Sequence, residues 1–282
     1  MDEPLYPEEL LAAIMNGMPL PQRAREARFF GRHRSVLPGD SPEFQDFRAY
    51  RPGDDLRRVD WNIYRRSGKL FLRRFRALPE MRHLIILDNS RSMQCRPRRI
   101  RCAWRLAALI GGTLLNSGDP LSLRIGGFSR AFSSGGTGAA ELVAALKELY
   151  DAPPETPRFD HPEKEDCYII SDFMDPDGLA AAEKKLELLP GFTPIRVYER
   201  RDIFPELTTE LRLVDSESLA AEVVRPDRKL LERYRDNLRR FDVMLKRAAT
   251  RAGALVWDFD ADWDTRRLIR QTAAELFRGG DK

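Results

Sequence analysis

Asp88, Ser90 and Ser92 sit on alternating positions directly after four consecutive aliphatic residues, Leu84-Ile85-Ile86-Leu87. One carboxylate and two hydroxyls at this spacing aim three hard oxygens at one point. That donor set suits Mg²⁺ or Mn²⁺, which take oxygen ligands and keep some of their waters. The aliphatic run is bounded by polar turn residues and reads as a strand buried on both faces of a parallel sheet. Ligand sites of open α/β sheets gather at the C-terminal ends of such strands. A plainer reading stands beside this one: the strand ends in a polar turn, and Ser90 or Ser92 caps the helix that follows.

The Asp88–Ser92 stretch resembles the metal-ion-dependent adhesion motif of von Willebrand factor A domains, in which Asp-x-Ser-x-Ser supplies three ligands. One loop cannot surround an ion, so such a site draws on two more. Asp172, after the Tyr168-Ile169-Ile170-Ser171 run, is one candidate, its alternative being a solvated strand-end carboxylate. Thr137, in Ser133-Ser134-Gly135-Gly136-Thr137-Gly138, is the other, and this run resembles the threonine loop of the same domains. Ser133 or Ser134 could serve in its place, or Thr137 could be a helix cap. In the adhesion family a vacant coordination position accepts a partner's Glu or Asp, so the resemblance implies recognition without reaction.

The elements that must hold these residues alternate from residue 83 onward. Strands are predicted over His83–Leu87, Leu121–Phe128, Cys167–Ser171, Pro194–Tyr198 and Leu255–Phe259. Helices are predicted over Ile100–Leu115, Ala139–Leu149, Leu179–Leu189, Asp227–Arg251 and Thr265–Phe277. Alternation of this kind predicts an α/β fold with a doubly wound, mostly parallel sheet. Asp227 is placed to cap the long helix, and Gly253 to end it. Residues 209–225 read as a small hairpin insertion. Three regions result: a helix and linker over 1–21, a basic, β-containing segment over 22–80 that packs on the core, and the α/β domain over 81–282.

Charge is unevenly placed. Residues 22–76 carry 14 Arg and Lys69 against 7 acidic residues, a net of +8, while the whole chain carries +4. The segment includes Phe29, Phe30, Tyr50, Trp61 and Tyr64, so nucleic-acid binding is a rival reading. Arg outnumbers Lys by 40 to 8 across the chain, however, which makes the richness partly a general habit. The three cysteines have no Cys-x-x-Cys spacing and read as reduced thiols. No run reaches the roughly 18 apolar residues of a membrane span, and Met-Asp-Glu-Pro does not open a signal peptide, so the expectation is a cytoplasmic protein.

A metal-dependent hydrolase is a further alternative. An aspartyl-phosphate enzyme wants Asp-x-Asp where this chain has Asp88-x-Ser90, Ser171-Asp172 lacks the glycines of a nucleophile elbow, and no Gly-Lys-Ser/Thr occurs. The expectation is a protein that is not an enzyme.

Residues 47–61, Phe-Arg-Ala-Tyr-Arg-Pro-Gly-Asp-Asp-Leu-Arg-Arg-Val-Asp-Trp, carry a second signature. Arg48-x-Tyr50, then Gly53-Asp54-Asp55, Arg57, Asp60-Trp61 and, downstream, Arg66 resemble the defining pattern of a bacterial family called domain of unknown function fifty-eight. Arg65 departs from that family's usual Ala. Physically the block reads as an ion-paired turn in which Asp54, Asp55 and Asp60 satisfy Arg48, Arg57 and Arg66, with Trp61 against the sheet domain. The family is similar to von Willebrand A domains, and its genes commonly accompany MoxR-type AAA+ ATPases. The resemblance therefore implies an adaptor that works with such an ATPase or its client protein in assembly or maturation.

Overall fold

A computed structural model of the chain describes residues 3–18, 46–50, 61–74, 82–160, 165–205, 211–214, 221–225 and 227–278. Helix α1 (Glu8–Asn16) precedes strand β1 (Asp46–Ala49), helix α2 (Trp61–Ser67) and strand β2 (Phe71–Arg74). The strands β1 and β2 pair antiparallel, with Arg48 opposite Leu72. The α/β unit then runs β3 (His83–Leu87), α3 (Arg91–Gln94), α4 (Pro97–Asn116), β4 (Leu121–Ile125), β5 (Phe128–Phe132) and α5 (Gly136–Leu149). It continues with β6 (Asp166–Ser171), α6 (Leu179–Glu187), β7 (Phe192–Tyr198) and α7 (Arg200–Ile203). It closes with the hairpin β8 (Leu211–Val214) and β9 (Ala221–Val224), then α8 (Arg228–Arg251), β10 (Trp257–Asp260) and α9 (Thr265–Arg278).

Six strands form one sheet in the order β10-β7-β6-β3-β4-β5. Every pairing is parallel except β4 with β5. The sheet is thus the mostly parallel one that the alternation predicts, with β3 and β6 at its centre. Side chains alternate between its faces as the pleat requires. Ile85, Leu87, Tyr168, Ile170, Ile195 and Val197 join the core built with α1, α4, α5 and α9. Leu84, Ile86, Cys167 and Ile169 join a second core with α6 and α8, which supply Ala182, Leu186, Phe241, Met244 and Leu245. Helices on both faces explain why β3 and β6 read as uninterrupted apolar runs.

One predicted strand is two. Leu121–Phe128 breaks at Gly126, which takes a φ of 53° in the left-handed region, and the chain returns as antiparallel edge strand β5. The amide of Gly127 donates to Glu155 Oε2 at 2.7 Å, which holds the turn. The helix predicted from Ile100 begins instead at Pro97, in the first turn where a missing N–H costs nothing. Asp227 does cap α8, accepting the Leu230 amide at 2.6 Å, and Gly253 takes the left-handed φ of 72° just past its end. The three cysteines are free thiols, Cys102 and Cys167 within the cores.

The N-terminal helix is part of the core rather than a loose appendage. Leu10 and Ile14 of α1 are fully buried against α4. The contact needs a glycine: a methyl group on Gly112 would stand 2.9 Å from the Ile14 carbonyl oxygen. Asn116 donates to that same carbonyl at 3.0 Å. Arg105, almost buried, gives 2.8 Å bonds to the carbonyls of Leu5 and Pro4.

Candidate metal centre

Asp88 follows the last residue of β3, and its amide donates to Ile170 O at 2.9 Å, extending the β3–β6 ladder by one rung. Its carboxylate is 2 % exposed. One oxygen accepts the Ser90 amide at 2.8 Å, and the other accepts the Ser171 hydroxyl at 2.5 Å. Ser90 occupies the cap position of α3, but its side chain makes no capping bond. Its hydroxyl lies 3.0 Å from that of Ser92 instead. The plainer reading, a helix cap after a strand, therefore does not describe Ser90.

Asp172 enters from the end of β6, the strand next to β3. It is 4 % exposed, and its oxygens accept the Met174 amide at 3.0 Å and Arg99 Nη1 at 2.7 Å. The Ser92 hydroxyl also bonds to this carboxylate. Burial and the neighbouring Asp172 charge push the Asp88 carboxyl up to about 6. Burial likewise raises Asp172, with Arg99 opposing it. Phe173, between the turn and the core, is the one non-glycine among the described residues with positive φ, at 57°. Its amide donates to Ser171 Oγ at 2.8 Å, which fixes the strained turn that presents Asp172.

Four of the five predicted ligands thus converge at the C-terminal ends of β3 and β6. Thr137 does not join them. Strand β5 runs back down the sheet, so Phe132 pairs with Leu121 at the start of β4, and Ser133–Gly138 follow at the opposite end of the strands. The Gly135 amide bonds to Leu115 O there, near the far end of α4. Helix α5 then climbs back, and residues 150–160 cross the top. Asn89 anchors them: its Nδ2 donates to Pro153 O at 3.1 Å, and its carbonyl accepts the Glu155 amide at 3.1 Å. Gln94 Nε2 adds bonds to Asn89 Oδ1 at 2.7 Å and Ala152 O at 2.8 Å. The next residue, Thr156, lines a cavity of about 830 Å³ together with Asp88 and Ser90. Phe159, Phe173 and Leu186 supply its apolar wall. Sequence reading did not reach Thr156, since Thr137 also falls between Asp88 and Asp172 in chain order and lies in the glycine-rich loop.

Residues 46–242 match the family described as "Protein of unknown function DUF58". The chain belongs to that family. Proteins similar to this DUF58 chain include uncharacterised proteins of Mycobacterium bovis and Mycobacterium tuberculosis, each 31% identical over 114 residues. That match spans 38% of this chain and 35% of each relative's length. Among solved structures, the conserved hypothetical protein BatB of Bacteroides thetaiotaomicron superposes with a TM-score of 0.36 at 13% identity, covering 72% of this chain and 100% of that one. An aerotolerance-related membrane protein of Bacteroides fragilis gives 0.37 at 14%, covering 70% and 99%. Neither likeness carries an argument about this chain. Among the described residues no helix is long and apolar enough to cross a membrane.

Of the DUF58 signature, Gly53, Asp54, Asp55, Arg57 and Asp60 lie outside the described residues, and so does the expected ion-paired clasp. The backbone of Arg48 lies in β1 and that of Trp61 opens α2. The Tyr50 amide donates to Leu70 O at 2.9 Å, continuing the β1–β2 pairing, and Arg66 is exposed on α2.

Proposed function

We propose that the DUF58 chain is a non-catalytic interaction adaptor that holds Mg²⁺ or Mn²⁺ at Asp88, Ser90 and Ser92 and meets a partner carboxylate there. The observation that carries this reading is the 3.0 Å separation of the two serine hydroxyls beside a buried carboxylate. Adjacent ligands of an octahedral ion with bonds of roughly 2.1 Å lie about 3.0 Å apart, so these oxygens suit one edge of such a shell. The donor chemistry agrees. A Ser92 hydroxyl that gives its proton to Asp172 accepts the Ser90 hydroxyl and keeps one lone pair for a cation. Buried Asp88 and Asp172, beside one guanidinium that Asp202 shares, leave negative charge that a divalent ion relieves. Asp172, with its oxygens already taken by Arg99, Met174 and Ser92, supports the ion from the next layer out. Thr156 stands where a third loop faces the same space.

The cavity beside Asp88 and Ser90 is open to a partner segment, and its wall mixes apolar side chains with Arg91, Lys185 and the carboxylates of Glu155, Asp160 and Asp175. The resemblance to von Willebrand A domains supports a partner's Glu or Asp as the group that completes the shell. The same family resemblance, rather than the geometry, supports a MoxR-type AAA+ ATPase or its client as that partner. Calorimetric titration of Mg²⁺ and Mn²⁺ into chelator-stripped protein tests the core of the proposal. Saturable binding that Asp88→Ala abolishes is the expected result, and an absence of binding in wild type counts against it.

A further inference from the structure

Arg99 is a charged side chain enclosed by the candidate centre. It rises from the first turn of α4 and is 7 % exposed. One guanidinium nitrogen donates to Asp172 at 2.7 Å and to the Ser92 carbonyl at 3.3 Å. The other donates to Asp202 on α7 at 2.5 Å. Its Nε has no partner within the described residues. Asp202 is itself anchored, accepting the Glu199 amide at 2.8 Å and offering its backbone carbonyl to the Tyr234 hydroxyl of α8. Arg99 therefore ties together the Asp88–Ser92 loop, the Asp172 turn and α7.

Asp88, by contrast, takes its bonds from Ser171 and Ser90, both neutral groups. The two carboxylates at the ends of β3 and β6 are thus not equivalent. Among the described residues, Asp172 has a fixed cation a hydrogen bond away, one it shares with Asp202, and Asp88 has none that close.

We propose that Arg99 sets the charge of the ion site, offsetting Asp172 so that a bound divalent ion draws chiefly on Asp88 and keeps positive charge for an anionic partner group. This rests on the ion reading above and adds who tunes it. A site with two unbalanced carboxylates would hold the ion tightly and satisfy it internally. With Arg99 in place the ion is held weakly and its attraction is left for the carboxylate that arrives in the cavity. The guanidinium suits this role because it stays charged and its fork reaches two carboxylates at once.

The proposal has a sign that a purely structural role lacks. Removing a buried arginine for structural reasons should loosen the loops and weaken metal binding. Removing it here should strengthen binding. Mn²⁺ calorimetry on wild type, Arg99→Gln and Arg99→Lys reads this directly. Arg99→Gln is expected to bind Mn²⁺ on the order of tenfold more tightly, since one unit charge leaves the neighbourhood of the ion. Arg99→Lys keeps the charge and is expected within about threefold of wild type. Equal or weaker binding by Arg99→Gln, with wild type binding normally, overturns the charge-setting role and leaves the ion site standing. If neither protein binds Mn²⁺, the ion reading falls and this inference with it. Should Arg99→Gln not fold, Asp202→Asn decides. It removes the competing charge and concentrates the guanidinium on Asp172, so Mn²⁺ binding should weaken about threefold in a protein that circular dichroism shows to be folded. Unchanged or tighter binding in Asp202→Asn overturns the proposal.

Discussion

The Ser171 hydroxyl reaches from the last residue of β6 to Asp88 Oδ2 at 2.5 Å, and it also accepts the Phe173 amide at 2.8 Å. One side chain, 1 % exposed, thereby orients the carboxylate at the end of β3 and stabilises the left-handed turn that presents Asp172. Ser171→Ala leaves a buried amide and a buried carboxylate oxygen unsatisfied. It should cost about 1–3 kcal/mol in urea denaturation. Groups that orient a metal ligand typically change affinity by roughly 10–100-fold, so Mn²⁺ binding should weaken by at least tenfold in the same protein. A variant that loses stability and keeps wild-type Mn²⁺ affinity would separate Ser171 from the ion.

Thr156 and Thr137 give opposite expectations. Thr156 shares a cavity with Asp88 and Ser90, whereas Thr137 lies in the first turn of α5 at the opposite end of the strands. Thr156→Val should weaken Mn²⁺ binding about fivefold or more by removing a hydroxyl from the lining of that cavity. Thr137→Val should leave the isotherm unchanged. The reverse pattern would return the third loop to Thr137.

This pair shows where sequence reasoning stops. The parallel sheet, its buried central strands and the Asp88–Ser92 and Asp172 loops follow from period and polarity, because β3 and β6 are apolar on both faces and end in acidic turns. The Thr137 loop looks right by composition: glycines, a hydroxyl and a helix start. Its position depends on the direction of β5, and that direction hangs on the turn at Gly126-Gly127, which splits one apparent strand into two. The helix α1 raises the same difficulty. Leu10 and Ile14 announce an apolar face, but the partner that accepts it is Gly112, some hundred positions along the chain. Arg99, too, is one of many arginines until the fold sets it beside Asp172.

His83 offers a pH test far from the metal centre. It begins β3, is 2 % exposed, and its ring nitrogens stand 3.6 Å from Asp119 Oδ2 and 3.4 Å from Asp166 Oδ2. Burial opposes its charge, but the two carboxylates outweigh burial and raise its pKa above the ordinary value. A folded-state pKa above the unfolded one means that folding takes up protons. The stabilisation is complete below about pH 6.5, the unfolded value, and is lost as pH rises through the higher folded value. Urea midpoints should therefore fall between pH 6 and pH 9 in wild type. In His83→Gln they should be lower at pH 6 and should lose that dependence over the same range. Parallel curves for the two proteins would show that folding does not shift the His83 pKa.

The contact between α1 and α4 can be tested through its glycine. A methyl group on Gly112 would lie 2.7 Å from Ile14 Cγ2 and 2.9 Å from the Ile14 carbonyl oxygen, and backbone cannot yield as a side-chain tip can. Alanine has the higher helix propensity, so an exposed Gly→Ala in a helix should stabilise by roughly 0.5–1 kcal/mol. Here overpacking should win, with a cost of about 1–3 kcal/mol. Ile14→Ala, which empties the other side of the contact, should cost about 2–5 kcal/mol. Because both changes act on one contact, the double variant should be less destabilised than the two effects added. Additive losses in urea denaturation would mean that α1 does not rest on Gly112 in solution.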